Sequence, residues 1–131
     1  MNELKVNILQ EDLFILLEDV EVEVLGYKIR VKAGFAFDGA SIPRVLWSVY
    51  GNPLSGKFRI AALVHDMLYA SQVLSKEVCD KIFLSLMEVH GVGYFKRVSM
   101  YQAVSKFGIT AWKSNQDELS KYASFVEVYK K

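Results

Sequence analysis

From Val20 to Val31 the chain alternates. Val20, Val22 and Val24 are separated by Glu21 and Glu23, and beyond Leu25-Gly26 the residues Tyr27, Ile29 and Val31 are separated by Lys28 and Arg30. A period of two predicts a pair of half-buried strands. Folding the chain at Leu25-Gly26 sets Glu23 opposite Lys28 and Glu21 opposite Arg30 on one face. On the other face Val22 meets Ile29 and Val20 meets Val31, so charge and β-branched packing favour the same hairpin. Leucine suits neither primed two-residue turn, which leaves a looser loop open beside a tight one. The apolar run from Leu13 to Leu17 predicts a further strand.

After Ala33-Gly34 the period lengthens. Ser41 reads as an N-cap and Pro43 as a first-turn residue whose missing N–H costs nothing. Val45, Leu46 and Val49 continue that short helix until Gly51-Asn52-Pro53. A second helix is expected from about Lys57 to Ala70, with Phe58, Ala61, Ala62, Leu68 and Tyr69 at helical spacing. Ser75 caps a third, carrying Cys79, Ile82, Phe83, Leu86 and Met87. Gly91 and Gly93 separate it from a fourth, with Tyr94, Phe95, Val98, Tyr101 and Val104 as its stripe and Gly108 as its stop. The polar tail from Trp112 onward reads as a final short helix or strand. Strands first and helices after predict an α+β fold: an N-terminal antiparallel hairpin or meander, then a cluster of about four helices. One domain is expected over residues 1–131, strand-rich over about 10–36, helical over about 41–112, with a tail over 113–131.

Composition narrows the classes. With 131 residues, 52% of them hydrophobic, the chain can bury a core, which excludes disorder. A net charge of +1 gives no reason to expect nucleic acid. The lone cysteine, Cys79, excludes an internal disulfide and any multi-cysteine zinc site. Neither a signal peptide nor a membrane-spanning run is expected, which is compatible with a host cytoplasm or a virion.

The chemistry-bearing residues fall in two blocks, Phe37-Asp38-Gly39-Ala40-Ser41-Ile42-Pro43-Arg44 and Val64-His65-Asp66-Met67-Leu68-Tyr69. His65 and Asp66 sit in an otherwise apolar helix, where neither belongs without a partner. Adjacent helical residues point about 100° apart, so the pair lines two sides of one cleft. Tyr69 lies one turn beyond His65. The short connection from Ser71 to Leu74 returns the third helix antiparallel, which brings Asp80 to the level of His65. A histidine beside a carboxylate is a minimal general base, and a second carboxylate can hold a hard cation. Asp38, Ser41 and Arg44 are candidates for the substrate side or for a structural network. The plainer alternative makes Asp66 a partner of Arg59 or Arg44, Asp38 an Asx-turn residue and Ser41 only a cap. As a nucleophile, Ser41 lacks a Gly-x-Ser-x-Gly elbow. Trp47, Tyr50, Tyr94, Phe95, Tyr101 and Trp112 are expected in the core, and His90 at a helix C-terminus.

These blocks, with Trp47, Ala61-Ala62, Asp80-x-x-Phe83, Met87, Tyr101 and Phe107-Gly108, resemble a phage and prophage family called domain of unknown function 1353. The resemblance spans roughly residues 10–112 and implies a phage setting, with phage structural proteins as partners, more firmly than a reaction. His65-Asp66-x-x-Tyr69 with Asp80 is also similar to the core of phospholipase A2 domains. That likeness implies His65 as the base activating water, Asp80 orienting it, Tyr69 supporting both, Asp66 as ligand of a divalent cation such as calcium, and a lipid or other small substrate. Phe37 to Arg44 does not match the Gly-rich calcium loop of those enzymes. The leading expectation is a His-Asp hydrolytic site, metal-assisted if that likeness holds. The competing one is a non-catalytic virion or tail-associated module with a buried polar network.

Overall fold

The computed structural model describes residues 6–10, 13–39, 41–42, 56–116 and 119–130, with side chains from Leu13 onward. The helix expected around Val45, Leu46 and Val49 lies outside these residues, as do Arg44, Trp47 and Tyr50. Strands β1 (Val6–Gln10), β2 (Leu13–Leu16) and β5 (Ala36–Phe37) form one antiparallel sheet in the order β1-β2-β5. A second antiparallel sheet has the order β3-β4-β6, from Val20–Val24, Tyr27–Val31 and Val126–Lys130. The helices are α1 (Arg59–Ser71), α2 (Lys76–Val89), α3 (Tyr94–Phe107) and the short α4 (Ile109–Ser114) and α5 (Leu119–Tyr122).

The hairpin takes the register that its charges favour: Glu21 faces Arg30, Val22 faces Ile29, and Glu23 faces Lys28. Arg30 closes on Glu21 at 2.8 Å on the wet face, while Ile29 and Val31 are fully buried on the other. The turn is tight, because Leu25 and Gly26 both take left-handed backbone, with φ of 50° and 80°. Leucine accepts a conformation that glycine or asparagine would adopt more readily. The tail supplies both of its alternatives, since α5 leads into β6, which pairs along the whole of β4.

Helix α1 runs through the middle of the fold. Every residue from Ile60 to Ser71 is buried, which suits a helix that is apolar on nearly all sides. Ser75 caps α2 by accepting the N–H of Val78, and α2 lies along α1. In α3 the expected stripe is corrected. Met100 and Val104 are its buried residues, whereas Tyr94 and Phe95 are 71% and 79% exposed. Those two aromatics occupy the first turn after Gly93, so their spacing alone did not place them against α2. Tyr101 is half-buried, and Trp112 packs edge-on against Tyr69 at 5.0 Å.

Candidate functional site

The burial of α1 leaves His65 and Asp66 out of water, so each must find partners within the protein. His65 lies between the rings of Tyr69 and Phe83, at centroid distances of 4.3 and 4.5 Å. Its Nε2 is 2.8 Å from Asp80 Oδ1 on α2, and its Nδ1 is 2.8 Å from Ser41 Oγ on the loop after β5. Tyr69 Oη, one turn along α1, donates to the same Asp80 oxygen at 2.7 Å. Lys76, one turn before Asp80 on α2, donates to Asp80 Oδ2 at 2.8 Å. The same ammonium also donates to the carbonyls of Val104 and Ser105 at 3.1 and 3.2 Å, which ties α2 to α3.

Asp66 faces the loop. Its Oδ2 accepts the Gly39 N–H at 2.7 Å and its Oδ1 accepts the Ser41 N–H at 3.3 Å, with Ser41 Oγ in close contact with that same oxygen. Gly39 has φ of 74°, a left-handed turn that glycine adopts without strain. Beside these groups is a cavity of about 250 Å³. Leu13, Phe35, Phe37 and Tyr122 give it apolar walls, and Asp38, Ser41, Asp66 and Asn115 line it with polar groups.

The two buried carboxyls are driven apart. Burial pushes Asp80 upward, but the bonds from His65, Lys76 and Tyr69 together hold it below the usual carboxylate range. Burial also pushes Asp66 upward, the charge of Asp38 adds to this, and its bonds to Ser41 and Gly39 only partly oppose it, leaving it at about 7. His65 is held below its ordinary value by burial, against the pull of Asp80. Burial and the charge of Asp80 push the Cys79 thiol up to about 12, so that cysteine is inert.

Residues 14–104 match the family described as "Protein of unknown function (DUF1353)". The chain belongs to that family. Every residue of the cluster from Ser41 to Asp80 lies within the matched part of this DUF1353 domain, while α4, α5 and β6 lie beyond it. The domain is also similar to "Uncharacterized protein y4jT" of Sinorhizobium fredii (strain NBRC 101917 / NGR234), at 34% identity over 83 residues. That stretch covers 63% of this chain and 25% of the relative, so the chain matches about a quarter of that protein's length. No solved structure matches the chain.

The DUF1353 domain brings five of the predicted residues together: Ser41, His65, Asp66, Tyr69 and Asp80. Asp38 stands at the cavity, close enough for its charge to act on Asp66. Arg44 lies outside the described residues. Arg59 lies over the Phe14 ring at 5.6 Å, and the partners of Asp66 are Gly39 and Ser41. The calcium implied by the phospholipase likeness does not fit this donor set. A hard cation takes oxygens, whereas Asp66 is met by two N–H groups and a hydroxyl. Lys76 was not singled out in the sequence, although its spacing of four from Asp80 is a helical pairing signal. Gly39 acts through its backbone N–H, which no side-chain pattern reveals.

Proposed function

We propose that this chain is a small hydrolytic domain acting on an uncharged acyl ester or amide. Ser41 is the nucleophile, His65 its base, and Asp80 the carboxylate that orients His65, with Tyr69 and Lys76 holding Asp80. One observation carries this reading: Asp80, His65 and Ser41 form an unbroken chain with 2.8 Å at each link, ending at a residue that lines the cavity. His65 is fully buried with both nitrogens engaged, so the hydroxyl it can deprotonate is that of Ser41. As Ser41 Oγ attacks the acyl carbon, its proton passes to His65 Nδ1. The departing alcohol or amine takes that proton, and water then releases the acid from Ser41. The apolar walls suit a short acyl chain or one aromatic ring, including the end of a lipid. The test is covalent labelling by a fluorophosphonate together with turnover of short-chain p-nitrophenyl esters. Labelling mapped to Ser41 by mass spectrometry and turnover lost in Ser41→Ala are expected. A folded protein that neither labels nor turns over the esters sinks the reading.

A second reading is supported by the satisfaction of the cluster. Among the described residues no buried side-chain nitrogen or oxygen lacks a partner. The same bonds would then tie Gly39 and Ser41 of the loop after β5 to α1, and through His65 to α2, in a non-catalytic, phage-derived virion or tail module. It predicts that Ser41→Ala lowers the melting temperature and that the wild type has no esterase activity.

A further inference from the structure

Counting protons along the cluster gives a result that distances alone do not. Asp80 accepts from Tyr69 on Oδ1 and from Lys76 on Oδ2, which suits an ionised carboxylate; as an acceptor only, it faces His65 Nε2 at 2.8 Å and calls for a proton on that nitrogen. With that nitrogen protonated, His65, kept neutral by its full burial, presents Nδ1 as an acceptor, and among the described residues the proton facing it is the hydroxyl proton of Ser41. Ser41 then has no proton left for Asp66, yet Ser41 Oγ and Asp66 Oδ1 are in hydrogen-bond contact. Three links in series need three protons, while Ser41 and neutral His65 supply two.

We infer that Asp66 is a neutral carboxylic acid that donates its proton to Ser41 Oγ, and so commits the Ser41 hydroxyl proton to His65. Asp66 is then a positioning residue, and a proton stands where the phospholipase likeness would put a cation. Where that proton resides is independent of whether Ser41 reacts; the positioning role rests on the hydrolytic reading proposed above. The surroundings agree with the proton count. Among the described residues, the titratable or charged groups that the structure sets near Asp66 include Asp38 on the loop, whose charge acts on it, His65 beside it on the same helix with Asp80 and Lys76 beyond on α2, and Tyr122 across the cavity on α5. Asp38 discourages a second negative charge, and burial acts in the same direction. Ionising Asp66 turns the Ser41 proton away from His65 and breaks the series.

Two spectroscopic measurements on the full chain test this without reference to activity. In the infrared, the wild type at pH 5 to 6 should show the carbonyl band of a buried protonated carboxylic acid. Asp66→Asn should lack the band, and in the wild type it should fade as the pH rises through about 7. That wild-type titration suffices even where Asp66→Asn fails to fold. The chain has two histidines, His65 and His90, so ring nitrogen resonances are assignable by replacing His90. His65 should be neutral with its proton on Nε2. Absence of the band at pH 5, or an imidazolium at His65 beside an ionised Asp66 at pH 6, overturns the assignment. If the hydrolytic reading also holds, kcat/KM falls above about pH 7, and Asp66→Asn, whose amide always donates to Ser41, removes that limb. An unchanged limb in a folded Asp66→Asn overturns the positioning role. A band at pH 5 in a protein that fluorophosphonate never labels keeps the proton on Asp66 and removes only the hydrolysis.

Discussion

Gly108 should be intolerant of alanine for a reason that can be isolated. Its backbone, at φ −77° and ψ −4°, is one that alanine adopts freely. Exchanging glycine for alanine at such a site ordinarily stabilises by about 0.4–1 kcal/mol through the unfolded chain. Here a Cβ would stand 2.5 Å from the Val104 carbonyl oxygen and 2.8 Å from Tyr69 Oη, where ordinary contact begins at 3.4 Å. Tyr69 Oη would have to retreat by about 0.6 Å (3.4 minus 2.8) from a position where it donates to Asp80 at 2.7 Å. Overpacking costs about 1–3 kcal/mol, and a weakened bond to a charged acceptor adds about 1 kcal/mol. Gly108→Ala is therefore expected to lose about 2–4 kcal/mol in equilibrium urea unfolding. Tyr69→Phe removes the atom in the way, leaving only the Val104 contact. In that background Gly108→Ala should cost about 1–2 kcal/mol less, a coupling well outside the additivity of about 0.3–0.5 kcal/mol seen for independent sites. Equal costs in the two backgrounds would refute the view that this glycine makes room for the Tyr69 hydroxyl.

Asp80→Asn should cost about 3–5 kcal/mol, because it unpairs the partly buried Lys76 and turns an amide N–H toward one of the three donors, Lys76, Tyr69 or His65; a loss below 1 kcal/mol in urea unfolding would show that the network contributes little. For pH, Asp66 has a folded value of about 7 against an ordinary 3.8, so the folded state binds the extra proton more tightly. Its contribution is fully present below about pH 4 and is lost as the pH rises through about 7, by an amount on the order of 4 kcal/mol. The stability of the wild type relative to Asp66→Asn should fall over that window, and a flat difference between pH 4 and 8 contradicts it. Leu25→Asn should raise stability by about 0.5–1 kcal/mol, since Leu25 is 55% exposed and holds a φ of 50° that asparagine tolerates better. A lower melting temperature in that variant would show that the leucine side chain contributes packing.

The legible parts of this chain are those where neighbours in sequence are neighbours in space. Glu21 against Arg30 and Val22 against Ile29 are set by alternation and one turn, and the Ser75 cap by its place ahead of an apolar helix. His65, Tyr69 and Asp80 were also readable together, because i,i+4 spacing and a short connection confine them to one level of an antiparallel helix pair. The pairing of β6 with β4 was not readable, since it joins the two ends of the fold and leaves no local signature. Nor was the exposure of Tyr94 and Phe95. Aromatic residues at helical spacing define a stripe only if a neighbour extends far enough to cover it. The partners of Asp66 leave no signature for a third reason: two of them are backbone N–H groups, which every residue but proline carries.

Asp66 and Asp80 differ in nothing but their surroundings. Each is buried, each sits on a helix of the central pair, and each takes at least three polar contacts. Burial alone would neutralise both. What separates them is the charge behind the donors. The bond from His65 leads those that hold Asp80 low and Lys76 adds a full positive charge at 2.8 Å, whereas Gly39 and Ser41 bring only two amides and a hydroxyl to Asp66, and Asp38 opposes even that. An ammonium can hold a carboxylate ionised in a low-dielectric interior; two amides against a neighbouring carboxylate do not. His65 lies between an ionised acceptor and a group that supplies a proton, and this asymmetry fixes its tautomer. A cluster of two aspartates, a histidine and a serine thereby acquires a direction, from Asp66 through Ser41 to His65 and Asp80, which the four residue types do not carry by themselves.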